Sequence, residues 1–519
     1  MIFLFISCAF SAKYFELKQT LWPPTDNELG LFGRAISFSR DRIAVGAEYL
    51  KIDGFKIPDD PENEDRIGGV YVYDYNPSTG SYTISPGNNE TFKRIQPQKD
   101  SKYPNVIPGT FSSRLLLSDD GQRLIVGAPY TYVPTSLRDF KIYDATWNVK
   151  QDDDTVVSDG VEYYREIGAI YEYIRQDDGS WLQNGISIPS TIIYRGGYGR
   201  AIAGSSDLSI YAGSYYNKFR SSVRKVGGVN TETFGSNINN QRYISPPATI
   251  NDAEKQRFGS TLDFYGTDSL YVTTTTQNSG GLSGVFPYTY RNNDWQAQDE
   301  ITCNGADDYE YFGMSTTFRI KQDDALIALY ASNHKTDKSN AIFILARGDG
   351  NLWSKTPQQI IQLGNESISD MFFCSAGENN FLSVLFGSED SIYIKIYQQN
   401  AATKQYEIFQ TIYDPKISYP GTTVSYEEQY IIFASDFDWD SEQCSKFIVG
   451  AMSKSGKGME TKPKPYSRVY VYELTTKEDG SHSKVGIIIG CVVAVVAIIA
   501  VVIFVVIMIR KKDGTVQIQ

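Results

Sequence analysis

Residues 32–48 read FGRAISFSRDRIAVGAE, and after an insertion residues 68–75 read GGVYVYDY. Apolar and polar residues alternate through three runs with turn residues between them, the pattern of strands that bury one face. The same text returns along the chain. Phe111 opens FSSRLLLSDDGQRLIVGAPY, followed by GAIYEYIR from Gly168. Tyr198 opens YGRAIAGSSDLSIYAGSYY, Phe258 opens FGSTLDFYGTDSLYVTT, and Phe312 opens FGMSTTFRIKQDDALIALYAS. A weaker copy starts at Phe372, FFCSAGENNFLSVLFGS with SIYIKIYQ after it. The last starts at Tyr419 and continues into KFIVGAM and SRVYVYEL. The copies recur at about 50 to 90 residues, a supersecondary period.

A fourth alternating run follows the three, as in YEIFQTIYDP from Tyr406. Four strands per unit in seven units predict an all-β fold, a seven-bladed β-propeller over residues 13–478. No copy holds a 3.6-residue period, which excludes a helical solenoid. The segment FELKQTLWPP from Phe15 matches EIFQTIYDP from Glu407, a fourth strand, whereas the seventh copy stops at a third strand, VYVYEL. The N-terminal strand is therefore expected to complete the last blade and close the ring without an unpaired edge. Composition agrees: 37 Tyr, 27 Phe and 43 Gly among 519 residues favour strands joined by tight turns. The net charge of −12 argues against nucleic acid as a partner.

These residues resemble the FG-GAP repeats of the integrin α-subunit N-terminal propeller. Phe32-Gly33 opens a first strand and Val45-Gly46-Ala47 closes a second, as Val126-Gly127-Ala128-Pro129 does in the next copy. Gly69 to Tyr73 supplies the following Gly-x-Val/Ile-Tyr-x-Tyr. The resemblance covers about residues 14–474 and implies that the FG and GAP residues are structural. It also implies a ligand face made by the second-to-third-strand and fourth-to-first-strand loops, and Ca2+ in Asp-x-Asp-x-Asp-Gly-x-x-Asp loops between first and second strands. The first five copies lack that loop. Asp436, Asp438 and Asp440 have the spacing, with Ser441 in place of Gly and Cys444 in place of the last Asp. They are the candidate Ca2+ ligands, with an acidic solvated turn as the alternative.

The second copy carries the longest second-to-third-strand insertion, about residues 130–167. Its Tyr130, Tyr132, Tyr143, Trp147, Tyr163 and Tyr164 stand near Asp152, Asp153 and Asp154. Exposed, these would form a protein-binding surface; packed inward, they would be a lid on the propeller. Arg347-Gly348-Asp349 matches an integrin ligand tripeptide, but RQDDGSW, RNNDW and NPSTGSY fill the same place in other copies. It is read as a hairpin turn.

At the ends, residues 1–12 read as a secretory signal cut near Ser11 or Ala12. Residues 485–509 carry no charge and reach ~37 Å as a helix, enough to span a bilayer. Arg510, Lys511 and Lys512 follow, so residues 510–519 are expected inside the cell and 13–478 outside, with 479–484 as linker. Gly486 and Gly490 have the spacing of a helix-dimer contact, a candidate homodimer seam. Asn89 and Asn365 open N-glycosylation sequons. Among Cys303, Cys374 and Cys444 at most one disulfide forms.

His334 and His482 are the only histidines, and no HExxH, GxSxG or phosphate loop occurs. The leading expectation is a cell-surface recognition or adhesion protein that binds an extracellular protein or glycan through one propeller face. One rival is a propeller hydrolase of surface carbohydrate, which would need an axial pocket with carboxylates of raised pKa. The other is an architectural coat protein.

Overall fold

A computed structural model describes residues 13–24, 31–39, 41–48, 50–58, 67–87, 93–137, 140–142, 150–216, 227–235, 241–247, 258–274, 284–319, 325–348, 352–387, 392–413, 432–439, 443–453 and 467–476. The chain divides into two compact units. One combines residues 1–16 with 474–519, and the other is 17–473. In the first, described residues lie at strand ends, where the Thr475 hydroxyl donates to the Tyr14 carbonyl at 3.3 Å.

The fold is all-β, and the described residues form seven four-stranded antiparallel sheets. The first runs Phe32–Ser39, Arg42–Ala47, Gly69–Asn76, Ser81–Ile84. The second is Arg114–Leu117, Arg123–Ala128, Ala169–Arg175, Trp181–Ser187, and the third Ile202–Gly204, Ile210–Tyr216, Gly227–Thr233, Arg242–Ile244. The fourth is Leu262–Tyr265, Ser269–Thr274, Gly284–Arg291, Asp294–Ala297, and the fifth Tyr309–Arg319, Leu326–His334, Asn340–Ala346, Gln359–Gly364. The sixth is Ile368–Ala376, Asn379–Gly387, Ile392–Gln399, Tyr406–Tyr413. The seventh joins Ile432–Trp439, Lys446–Ser453 and Arg468–Thr476 to Lys13–Leu21. The chain's first strand thus completes its last sheet, as the sequence predicts. Among the described residues no helix is long and apolar enough to cross a membrane. Residues 1–12 and 485–509, where the signal and the span are expected, lie outside them.

Apolar clusters sit between consecutive sheets. Ile67, Phe111, Val126 and Tyr171 pack between the first and second, and Phe258, Phe264, Val229 and Phe286 between the third and fourth. Ile448, Val469 and Val471 of the seventh meet Phe32, Ile36 and Tyr71 of the first, so the series closes on itself. The first strands of successive sheets touch in the same order, and Ile432–Trp439 touches Phe32–Ser39. This is a propeller-type arrangement in which each sheet buries both faces against its neighbours.

The repeated motif has a backbone cause. Phe32 pairs with Ala47 and Ile36 with Val45, so the strand bulges between them, and Gly33 there has φ +85°. An L side chain is disfavoured at that φ. The phenylalanine before it packs on a ring of its own sheet: Phe32 on Tyr71 at 5.9 Å, Phe111 on Tyr171 at 5.2 Å, Phe312 on Phe343 at 5.4 Å. At Gly46 a Cβ would come 2.7 Å from the Ser112 carbonyl of the next sheet, so the GAP glycine is a close-approach site.

Polar latches join neighbours along the turns. Arg42 pairs with Asp74 at 2.8 Å and reaches the carbonyls of Asp120 and Gly121, while Arg175 takes the other oxygen of Asp74 at 2.8 Å. Asp120 and Asp207 accept from the backbone two residues on, at 2.9 Å each. Their carboxylates therefore hold tight turns. The sixth and seventh sheets are joined by the disulfide Cys374–Cys444, while Cys303 is free and buried. Phe381 stacks on Trp439 beside that seam at 5.6 Å.

Two expectations about strand limits are corrected. The sixth sheet's first strand begins at Ile368, ahead of Phe372, with its bulge between Ile368 and Asp370. In the seventh, Asp436 and Asp438 lie inside the strand Ile432–Trp439, opposite Gly450 and Ile448, where a loop was expected.

Candidate functional site

The insertion of the second copy folds. Val133–Pro134, Thr155–Ser158 and Val161–Tyr164 form a small antiparallel sheet, and Lys141–Ile142 pairs parallel with Thr191–Ile192. Tyr132 and Tyr163 are each only 6% exposed. Tyr164 packs between Phe140 at 5.8 Å and Tyr194 at 6.0 Å, and Tyr130 is half-buried beneath the Arg200 guanidinium. Asp153 pairs with Arg195 at 2.9 Å, and the buried Asp154 accepts from Gln151 N at 2.7 Å. Tyr143 and Trp147 lie outside the described residues. The described rings pack inward, the lid arrangement, and an exposed aromatic face is not formed by Tyr132 or Tyr163.

Asp438 spans two sheets. Its Oδ2 accepts from Phe38 N at 2.6 Å and from the Ser37 hydroxyl at 3.3 Å, and its Oδ1 from Trp439 N at 2.8 Å. Ser37 Oγ in turn accepts from Leu117 N of the second sheet at 3.0 Å. Side chains of one inner strand thus satisfy edge N–H groups of the next. Asp440 and the side chain of Asp436 are outside the described residues, and among those described no cluster of three metal-ligating side chains occurs. Asn365 is exposed in the turn before Ile368; Asn89 lies outside the described residues.

The third-to-fourth-strand turn of the fifth sheet begins with Arg347. Its guanidinium turns inward, 4.9 Å over the Tyr265 ring and 6.0 Å from Trp353, and its N–H donates to the Ala325 carbonyl. The arginine of the tripeptide is therefore packed against aromatic rings, and Asp349 lies outside the described residues.

That packing forms one wall of a groove of about 420 Å³ between the fourth and fifth sheets. Its floor is one face of the fourth sheet. Ser269 pairs with Thr289 and Tyr271 with Pro287, so these side chains share a face, with Tyr265 opposite Ser269 and Arg291 two residues beyond Thr289. Leu352 and Lys355 complete the wall formed by Arg347 and Trp353, and the rim carries Asp268, Asp299 and Glu300. Trp353 meets Tyr271 edge-on at 6.2 Å. Burial pushes the Tyr271 hydroxyl pKa up, while the charge of Arg347 opposes that. Leu352 is 67% exposed. The size suits a small-molecule site.

The repeat explains the tryptophan. Trp181 and Trp295 occupy the matching place in the second and fourth sheets, inside their fourth strands and buried. In the fifth sheet the fourth strand starts only at Gln359, so Trp353 is left in the loop and half-buried against the groove. Sequence reading missed the site because its walls come from two copies; the displaced Trp in RGDGNLW was the available signal.

Three further carboxyl groups stand elsewhere. Asp263, on the fourth sheet's first strand, accepts from Phe264 N at 2.9 Å. Burial, helped by the charge of Asp370, pushes its pKa up to about 7. Between the second and third sheets, the Tyr211 hydroxyl lies 2.8 Å from Glu172 and 3.2 Å from Glu232. Glu232 also accepts from Tyr198 at 3.0 Å, Gln241 at 2.6 Å and Ser187, and Glu172 from Gly235 N at 2.8 Å and Asn184 at 3.0 Å.

No known family profile matches the chain, and no curated protein matches it. Solved structures resemble it distantly. An ulvan lyase of a polysaccharide lyase family is 10% identical, with 88% of this chain and 96% of that one covered and a TM-score of 0.42. The Dos1 propeller is 12% identical over 89% and 95%, TM-score 0.38. The periplasmic gluconolactonase of Pseudomonas aeruginosa is 12% identical over 73% and 84%, also with a TM-score of 0.38. At TM-scores this low, nothing about activity or ligand follows.

Proposed function

We propose that this chain is a cell-surface recognition protein that captures an extracellular ligand in the groove between its fourth and fifth sheets. In this reading the seven sheets are the blades of an FG-GAP-type propeller, held at the plasma membrane by residues 485–509 with 13–478 outside. The apolar run and the basic residues after it support the anchor. The observation that carries the reading is the groove. It combines Trp353 and Tyr265 with polar groups of both signs, and it leaves Leu352 exposed at the rim. The reading does not depend on Ca2+ at Asp436, Asp438 and Asp440, none of which lines the groove.

The test is saturable capture of a cell panel by the full chain in detergent micelles. Trp353→Ala and Arg291→Glu are expected to weaken capture, the former about tenfold, and Val157→Ser on the insertion to leave it intact. The reverse pattern would return the site to the second copy. Asp263 and Asp370, two carboxyl groups on inner first strands close enough to interact electrostatically, favour a second reading, a carbohydrate hydrolase, which works through a pair of carboxyls. Release of reducing sugar, lost in Asp263→Asn, would establish it.

A further inference from the structure

We infer that the groove takes a neutral saccharide, an inference that rests on the groove being the recognition site. Trp353 is held by a T-shaped contact with Tyr271 and by the Arg347 guanidinium, which also covers Tyr265. Such a pre-oriented ring is a platform for the C–H face of a pyranose, since aromatic faces carry partial negative charge. Sugar hydroxyls both donate and accept, and the groove offers both partners: carboxylates at Asp299 and Glu300, cations at Arg291 and Lys355.

Charge selects among saccharides. Asp268, Asp299 and Glu300 balance Arg291, Arg347 and Lys355, and Arg347 is already stacked on rings. A uronate or sulfate would meet as many carboxylates as cations and gain no net attraction. The floor strand Gly284–Arg291 offers a peptide no free edge, because it is flanked by Ser269–Thr274 and Asp294–Ala297.

The experiment measures binding of the full chain in micelles to glucose, mannose and galactose oligomers beside uronate- and sulfate-bearing ones, at low and high salt. A neutral oligomer is expected to bind independently of salt. Trp353→Ala should weaken it about tenfold, equal to ~1.4 kcal/mol. Asp299→Asn, at an exposed position, should weaken it with thermal unfolding unchanged. Salt-sensitive preference for acidic oligomers, neutral binding unmoved by either variant, or no saccharide binding at all would overturn the inference. If cell capture still depended on Trp353 in those cases, the recognition reading would stand and only the ligand class would fall. Capture independent of the groove would remove both.

Discussion

Replacing Glu232 by Gln should make the protein's stability less sensitive to pH. Glu232 is buried between the second and third sheets, shares the Tyr211 hydroxyl with Glu172, and has no ion pair among its hydrogen-bond partners. Tyr198, Ser187 and Gln241 also face it, and Arg123 acts from the Glu172 side. Burial moves its pKa from 4.5 to about 7. The folded state therefore holds this proton more tightly than the unfolded state. Its contribution is full below pH 4.5 and is lost as pH rises through about 7. At 1.36 kcal/mol per unit, the change over that window is ~3 kcal/mol. Gln keeps the shape and cannot ionise. Urea unfolding followed by tryptophan fluorescence, from about pH 5 to about pH 8, should show the variant gaining ~3 kcal/mol on the wild type. Parallel curves would refute the reasoning, as they would mean that Glu232 folds already ionised. Tyr211→Phe should cost more at the alkaline end, where both carboxylates lose a donor.

Opening the Cys374–Cys444 link by Cys374→Ala should lower stability by ~4 kcal/mol from loop-closure entropy, given a separation of 70 residues, read by denaturant midpoint. Asp438→Ala strands Phe38 N and Ser37 together and should cost about 1–3 kcal/mol, with faster amide exchange at Phe38. Trp295→Ala should cost ~3–5 kcal/mol by urea unfolding, as expected of a buried ring, whereas Trp353→Ala should cost much less. Similar losses would mean that Trp353 is core.

The blade-like unit was legible because Gly33 and Gly46 answer to local backbone demands that recur in several copies, and Phe32 to a ring in its own sheet. Closure by Lys13–Leu21 was legible from its likeness to Tyr406–Tyr413. The weak copies misled at their strand limits, since Phe372-Phe373 lacks the glycine that marks the bulge elsewhere. The spacing of Asp436 and Asp438 looks the same in a loop and on one face of a strand, so only pairing with Gly450 and Ile448 tells them apart. The inward packing of Tyr164 in the second-copy insertion involves Tyr194, far along the chain, which the local text does not encode. The groove needed Tyr265 and Trp353, from different copies, side by side.

The sheet shared between Lys13–Leu21 and Arg468–Thr476 has a consequence for synthesis. Its members are roughly 450 residues apart, so at ~5–20 residues per second the first strand leaves the ribosome on the order of 20–90 s before its partner exists. During that interval it is a ladder edge with nothing to pair with. Lys13, Glu16 and Lys18 place charge of both signs along it, which disfavours pairing with a stranger. A chain stalled before Arg468 would hold six completed sheets and an open seam, so a chaperone that holds nascent chains should find its longest-lived target in residues 13–21.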